Sequence, residues 1–192
     1  MINRDQFFPS IRASLFNNNI SQSQVDGANS ILDAWEHWVP NIDIRFVCYS
    51  LATAYHETAA TMQPIDEYGH GRGHAYGAPA GPWHQAYFGR GDVQLTWEAN
   101  YAHATKRLRE LAVIGPDDDL ERDPDLAKRP DIAAAIMIFG MIEGWFTGAK
   151  LGNYFSTATD DPVGARRIIN GQDCAEKIAD YHDAFLDAVQ AP

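Results

Sequence analysis

The chain has 192 residues, of which 45% are hydrophobic and 21% charged, so it is long enough to bury one substantial core. Its formal net charge is −11 and its isoelectric point lies near 4.9. Phosphate groups are bound chiefly through lysine and arginine, so this charge argues against nucleic acid and anionic membrane as partners and favours a neutral or weakly charged ligand.

The amino terminus lacks the basic start, uninterrupted apolar core and small-residue cleavage site of a secretory signal. The most apolar stretch, 132–142, is too short to span a bilayer. Cys48 and Cys174 do not resemble a disulfide framework. We therefore expect one domain covering 1–192, a monomer without stable membrane association that stays in the cytoplasm until it is released.

Helical periodicity dominates the first third of the chain. Ser21 and Gln24 have the spacing of a capping box, which predicts a helix over 22–38. Apolar residues then recur every three or four positions after Asn41 or Asp43, which predicts a second helix ending near 58–61.

The middle of the chain has a different character. Residues 62–90 contain three prolines and six glycines without a sustained period, which indicates a long irregular loop, and a short hairpin is expected around 92–96. Further helices are predicted over 97–111, 131–146, 162–169 and 175–189. The fold class is therefore mainly α with a small irregular or β-containing lobe.

The histidines in and before the loop at 62–90 first suggest a metal site. His56 and Glu57 begin like a zinc-peptidase helix, but that motif needs a second histidine where Ala60 stands. The loop then contains His70, His74 and His84. No carboxylate or cysteine lies among them at a spacing that forces convergence, so we predict no metal and no other cofactor.

Two glutamates carry a stronger signal. Glu57 falls in the last turn of a predicted helix, where the negative end of the helix dipole disfavours an ionised carboxylate, as a general acid requires. Glu67 follows Pro64 in a polar, glycine-rich loop, where it would stay ionised as a base requires. Glycoside hydrolysis uses two carboxyl groups in contrasting environments, although this spacing alone is also common in ordinary surface loops.

A second polar segment follows at 87–101, with the sequence YFGRGDVQLTWEANY. Alternation there would point Gln94 and Thr96 to one face, where an amide and a hydroxyl suit a sugar or a bound water. Thr96 is also a candidate cap for the helix that follows.

These segments carry a resemblance. HET at 56–58, YFGRGDVQLTWEANY at 87–101 and ARRIING at 165–171 resemble, in order, the signature segments of family 19 glycoside hydrolases and the related phage and prophage endolysins of the lysozyme-like superfamily. The resemblance implies an α+β lysozyme-like fold with two helical lobes flanking a cleft, and inverting hydrolysis of a β-1,4 bond next to an N-acetylated sugar.

The resemblance also implies roles for individual residues. Glu57 matches the general acid, Glu67 the general base, and Thr96 the hydroxyl that helps to hold the attacking water. The side chains expected to bind substrate are His56, Tyr87, Gln94, Asn100, Tyr101, Arg166 and Asn170. Of the adjacent arginines Arg166 and Arg167, one is expected to form a salt bridge that orders the cleft; pairing with Asp160 or Asp161 is the alternative.

The short segment between the glutamates and the scarcity of cysteines favour the endolysin branch and peptidoglycan as the substrate. Chitin is the alternative substrate, because both polymers present N-acetyl groups. Two other classes stay open: a non-catalytic wall-binding module, and a metal-dependent wall amidase or peptidase that uses the loop histidines.

Overall fold

The computed structural model describes residues 2–190, and it is mainly α with a small two-stranded sheet, as predicted. Its α-helices are α1 (Arg4–Ser14), α2 (Gln22–Trp38), α3 (Ile44–Glu57), α4 (Glu98–Glu110), α5 (Pro130–Glu143), α6 (Leu151–Tyr154) and α7 (Ala175–Gln190). Shorter 3-10 turns span Ala75–Gly77, Pro124–Lys128 and Gly164–Ile168. The two strands are β1 (Ile65–Asp66) and β2 (Arg90–Gly91).

The helix α3 lies at the centre of the core. Every residue from Val47 to Ala54 is buried, and α3 packs mainly against α7. Asp43 begins the helix, and its side chain accepts a hydrogen bond from the Arg45 N–H. Because α3 is fixed along most of its length, its last residue, Glu57, has a well-defined position.

The segment that leaves α3 is fastened to α2. Both halves of the predicted capping box at Ser21 and Gln24 are present, and Gln24 Nε2 also donates to the Ala60 carbonyl (2.9 Å). Gly27 permits the close approach of this segment, because a Cβ on that glycine would lie 1.7 Å from the Met62 carbonyl oxygen. The chain therefore turns sharply after Glu57 and enters β1 within a few residues.

The hairpin expected around 92–96 is only a tight turn, across which Arg90 and Leu95 exchange both backbone hydrogen bonds (3.2 and 2.9 Å). The antiparallel pairing joins β1 to β2, with Ile65 opposite Gly91 and Asp66 opposite Arg90. Residues 92–94 form a turn that leads to a single bridge between Arg90 and Leu95. The two strands are about 25 residues apart along the chain, so no local pattern could predict their pairing.

Two other elements differ from the sequence prediction. The helix α1 was not expected, and it carries Pro9 in its interior. The helix predicted over 162–169 is a 3-10 turn, Gly164–Ile168, that begins where Asp161 Oδ1 accepts a hydrogen bond from the Gly164 N–H (2.7 Å).

Cys48 is buried and Cys174 is exposed, and both are free thiols. Burial raises the pKa of the Cys48 thiol to about 12. Within residues 2–190, no helix is both long and apolar enough to cross a membrane.

Candidate active site

Glu57, at the carboxyl end of α3, is held by a buried arginine. Its Oε1 atom accepts a hydrogen bond from Arg166 Nη1 at 2.6 Å, and the two side chains are 17% and 3% exposed. Arg166 also donates from Nε to the Asp173 carbonyl (2.9 Å), which orients its guanidinium. The helix end is therefore not the only feature that acts on Glu57, because a buried arginine also contacts its carboxyl group.

Glu57 opens into a polar cavity of about 290 Å³. The cavity is lined by Glu57, Val93, Gln94, Thr96, Trp97, Asn100, Phe146, Ile169 and Asn170. Five of the residues singled out from the sequence therefore share one space, although they come from three separate segments. Cavities with a few convergent polar groups on an apolar floor are typical of ligand sites.

Thr96 and Gln94 face this cavity from a turn rather than from the alternating strand expected. Thr96 Oγ1 donates to the Gln94 carbonyl (2.8 Å), and Gln94 adopts a left-handed φ of 56°. Thr96 does not cap α4, because Trp97 occupies the cap position and contributes no side-chain bond. Asn100, in the first turn of α4, donates from Nδ2 to the Thr96 carbonyl (2.9 Å), which steadies the turn.

Glu67 lies directly after β1 and is bound to Gly89 by both its backbone and its side chain. The Glu67 N–H donates to the Gly89 carbonyl (2.8 Å), and the Gly89 N–H donates to Glu67 Oε2 (3.1 Å). A Cβ built on Gly89 would lie 3.0 Å from Glu67 Oε2 and 2.8 Å from Gln94 Oε1. Glu67 thus flanks the same glycine as Gln94, which lines the cavity.

Arg90 fixes the backbone on the far side of Gly89. Its guanidinium lies 3.6 Å from the centroid of the Phe88 ring and donates to the Ala86 and Phe88 carbonyls. Arg90 Nε donates to Asp125 Oδ1 (3.0 Å), so the buried charge is paired. The cation–π contact and the ion pair together make Phe88 to Arg90 a rigid support for Glu67.

Tyr87 and Tyr101 were predicted to bind substrate, and the structure corrects this. They are 1% and 0% exposed, and their hydroxyls donate to the carbonyls of Glu121 (3.0 Å) and Phe88 (2.8 Å). Both side chains are bonded to the protein itself, so they support the cavity wall rather than contact a ligand. An aromatic residue in a polar motif does not reveal from sequence which way it points.

The remaining predicted residues lie around the edge of the site. His56 is half-buried beside Glu57, outside the cavity lining, and burial lowers its pKa. Asn170 is exposed and lines the cavity, and its Oδ1 accepts from the Gly171 N–H (3.0 Å). Arg167 is exposed, and Asp160 pairs with Arg45 (3.3 Å), so neither adjacent arginine makes the alternative aspartate pair.

No group of three or more His, Cys, Asp or Glu residues within 2–190 is arranged to hold a metal ion. His70 instead stacks on Phe88 with ring centroids 4.8 Å apart, and His74 stacks on Tyr76 at 5.0 Å. These two loop histidines therefore pack against aromatic rings.

Neither a protein-family model nor a curated protein matches the sequence. Solved structures do match it. Chitinase C from Streptomyces griseus HUT6037 superposes with a TM-score of 0.60 at 21% identity, covering 98% of this chain and 75% of that one. The chain has the fold of the family 19 chitinases.

Two further family 19 structures agree. A bacterial family 19 chitinase gives a TM-score of 0.57 at 23% identity, covering 100% of this chain and 96% of that one. The class IV chitinase from Zea mays gives 0.57 at 17% identity, with coverages of 98% and 92%. The family 19 fold thus extends along the described chain, including the segments that form the cavity.

The sequence did not reveal three features of this cavity and its surroundings. Phe146 and Ile169 line the cavity but belong to no polar motif. The third is the bond from the Gly89 backbone N–H to Glu67. Backbone donors and apolar side chains leave no distinctive mark in a single sequence.

Proposed function

We propose that the protein is an inverting glycoside hydrolase that cleaves β-1,4 bonds of peptidoglycan, of the endolysin type. The observation that carries the proposal is that Glu57 opens into a polar cavity shared with Thr96, Gln94, Asn100 and Asn170. The family 19 fold supports the same class of reaction, because the solved structures that share it are described as chitinases.

Glu57 is the general acid. Arg166 occupies Oε1, so Oε2 is the oxygen that carries the proton to the glycosidic oxygen as the bond breaks. After the proton has been given away, the Glu57 carboxylate stays paired with the Arg166 guanidinium. Arg166 therefore fixes the carboxyl in place and stabilises the product form of the acid.

Glu67 is the general base. The Gly89 N–H holds one carboxylate oxygen, which leaves the other to take a proton from water. Thr96 Oγ1 uses its own hydrogen on the Gln94 carbonyl, so its oxygen is free to accept a hydrogen bond from that water. An inverting enzyme needs its two carboxyl groups roughly 6.5–9.5 Å apart to accommodate the water.

Peptidoglycan is the proposed substrate because only residues 58–66 separate the two glutamates, and so short a segment is a feature of the endolysin branch that the sequence resembles. Chitin is the second candidate, and the description of the structural neighbours as chitinases favours it. The cavity amides suit the N-acetyl groups that both polymers carry.

Mass spectrometry of the fragments released from purified peptidoglycan, beside a chitin-oligomer reaction, tests the substrate and identifies the bond that is cut. Glu57→Gln is expected to abolish release, whereas Glu176→Gln, on the exposed first turn of α7, is expected to retain it. Unchanged release by Glu57→Gln would remove Glu57 as the acid.

The same assay separates the other classes. A wall-binding module would bind peptidoglycan and release no fragments. A metal-dependent amidase or peptidase would release peptides and lose activity in EDTA, whereas the proposed hydrolase releases sugar fragments at an unchanged rate after exhaustive EDTA treatment.

A further inference from the structure

The segment 68–91 contains cationic side chains and no acidic one. No Asp or Glu lies between Glu67 and Asp92, which is the longest such interval in a chain with 26 acidic residues. The interval contains two arginines, Arg72 and Arg90. Arg90 is buried and paired, whereas Arg72 is exposed and makes no ion pair within the described part of the chain. Arg72 is also the lysine or arginine closest in sequence to Glu67.

Consecutive tight turns hold Arg72 near Glu67. The His70 N–H donates to the Glu67 carbonyl (3.2 Å), and the Arg72 N–H donates to the Gly69 carbonyl (3.0 Å). Each turn of this kind keeps its end residues within about 7 Å of each other, so the Cα atom of Arg72 lies at most about 14 Å from that of Glu67. Arg72 therefore belongs to the surroundings of the proposed base.

The backbone that presents Arg72 is packed against the rest of the protein. Just before it, the His70 ring stacks on Phe88 with centroids 4.8 Å apart. Gly71 is buried, and a Cβ on that glycine would lie 2.6 Å from the Gly77 Cα atom. The backbone is therefore already ordered, so mainly the arginine side chain loses freedom when a ligand binds.

The guanidinium of Arg72 suits a carboxylate. It presents paired N–H donors whose geometry matches the two carboxylate oxygens. Elsewhere in this chain, Arg4 pairs with Asp33 (2.9 Å) and Arg129 with Asp131 (2.7 Å). Chitin is a neutral polymer, whereas the stem peptides of peptidoglycan carry carboxylates. Charge complementarity therefore favours a stem peptide as the partner of Arg72.

We propose that Arg72 binds a carboxylate of a stem peptide while the glycan strand lies in the cavity, and that this contact favours peptide-bearing glycan over chitin. An extended peptide of four residues spans about 14 Å, which is enough to cover the largest separation expected between the Cα atoms of Glu67 and Arg72. This inference rests on the proposed function, because it takes peptidoglycan as the polymer in the cavity.

The net charge of −11 is compatible with this contact. The repulsion due to the net charge acts over the screening length, about 30 Å at 0.01 M salt, whereas an exposed ion pair acts only where its two charges meet. The contact therefore orients a strand that has already reached the protein. Measurements at 0.15 M salt, where the screening length is about 8 Å, separate the contact from the long-range repulsion.

The test measures KM and kcat of the full chain on two soluble peptidoglycan fragments at 0.15 M salt. One fragment keeps its stem carboxylates, and in the other they are converted to amides. Chitin oligomers are the third substrate. Arg72→Gln is compared with Arg12→Gln, a matched control, because Arg12 is exposed on α1, makes no ion pair within the described residues and does not line the cavity.

Arg72→Gln is expected to raise KM for the untreated fragment about two- to fivefold and to leave kcat unchanged, because an exposed ion pair has an effect of that size. For the amidated fragment, its KM is expected to equal that of the parent, because the substrate no longer presents an anion. Arg12→Gln is expected to match the parent on both fragments.

Equal KM values of Arg72→Gln and the parent on the untreated fragment would overturn the inference. An equal rise on both fragments would also overturn it, because the effect would then be structural. A parent that cleaves none of the three substrates would disprove the proposed function, and a parent that cleaves chitin oligomers alone would disprove peptidoglycan as the substrate; the inference fails in both cases. A parent that cleaves peptidoglycan with no effect of Arg72→Gln removes the inference alone.

Discussion

Asp92 is a buried carboxyl group that the proposed mechanism does not use. It is 2% exposed, and its Oδ1 has no hydrogen-bond partner among residues 2–190. Burial raises the pKa of Asp92 from 3.8 to about 7. The native protein therefore keeps this group protonated in mild acid, where the unfolded chain has already ionised it.

Asp92→Asn is expected to stabilise the protein at neutral and alkaline pH. Asp92 costs no stability below about pH 3.8, destabilises the native state increasingly between pH 3.8 and 7, and exerts its full effect above pH 7, about 4 kcal/mol at most. Urea unfolding at pH 4 and pH 8 checks this expectation. An equal effect of the substitution at both pH values would contradict a raised pKa.

Arg166 is the residue whose loss should affect the site most directly. Arg166→Met leaves the largely buried Glu57 without its partner, so we expect a loss of roughly 2–4 kcal/mol in unfolding free energy together with a large fall in kcat. Arg167→Met is a matched control, since Arg167 is adjacent and exposed. Similar effects of the two substitutions would contradict the assigned ion pair.

At the scale of elements, the support for Glu67 depends on the absence of a side chain at Gly89. A methyl group there would approach Glu67 Oε2 and Gln94 Oε1 at 3.0 and 2.8 Å, so Gly89→Ala must displace one of the two side chains. We expect kcat to fall about a hundredfold, since small misplacements of catalytic groups have effects of that order.

Gly152→Ala is the control for this substitution, because a Cβ on Gly152 meets no atom within 4 Å. The measurement is kcat on peptidoglycan fragments for both variants, with circular dichroism to establish that each is folded. A folded Gly89→Ala variant with the activity of the parent would remove Glu67 from the mechanism.

The long helices could be predicted from the sequence because their signals are local. The capping box at Ser21 and the cap at Asp43 act within one helical turn, and α2 and α3 were found where these signals placed them. Pro9 concealed α1, since proline usually interrupts a helix. The sheet was missed because β1 and β2 are joined by long-range pairing.

The sequence also predicted part of the candidate site: several polar residues were placed correctly, and two tyrosines were not. Polar motif residues such as Thr96 and Asn100 do line the cavity, because a short turn and the first turn of α4 present them together. Tyr87 and Tyr101 were misassigned because sequence does not distinguish a buried tyrosine bonded to the backbone from one that faces a ligand. Arg166 and Glu57 are 109 residues apart in the sequence, so only the structure shows that Arg166 is the arginine that pairs with Glu57.

At the scale of the whole molecule, the net charge of −11 opposes approach to an anionic wall. Raising the ionic strength from 0.01 to 0.15 M shortens the screening length from about 30 to about 8 Å. We therefore expect the initial rate of peptidoglycan hydrolysis to rise over this range. Turbidity assays at several salt concentrations measure that rate.

Neutral chitin oligomers provide the control for this effect, because they present no charge to be screened. A hydrolysis rate on peptidoglycan that falls with salt would contradict the account, since it would indicate a favourable electrostatic contact with the wall that the composition does not suggest.

Glu57 and Glu67 are proposed to act as acid and base in a single displacement. Proton NMR of the first products, recorded before the sugars equilibrate, tests it most directly. Wild-type protein acting on a β-1,4-linked N-acetylhexosamine oligomer is predicted to release the α-anomer first, because water attacks from the side opposite the leaving group. Initial release of the β-anomer would contradict the account.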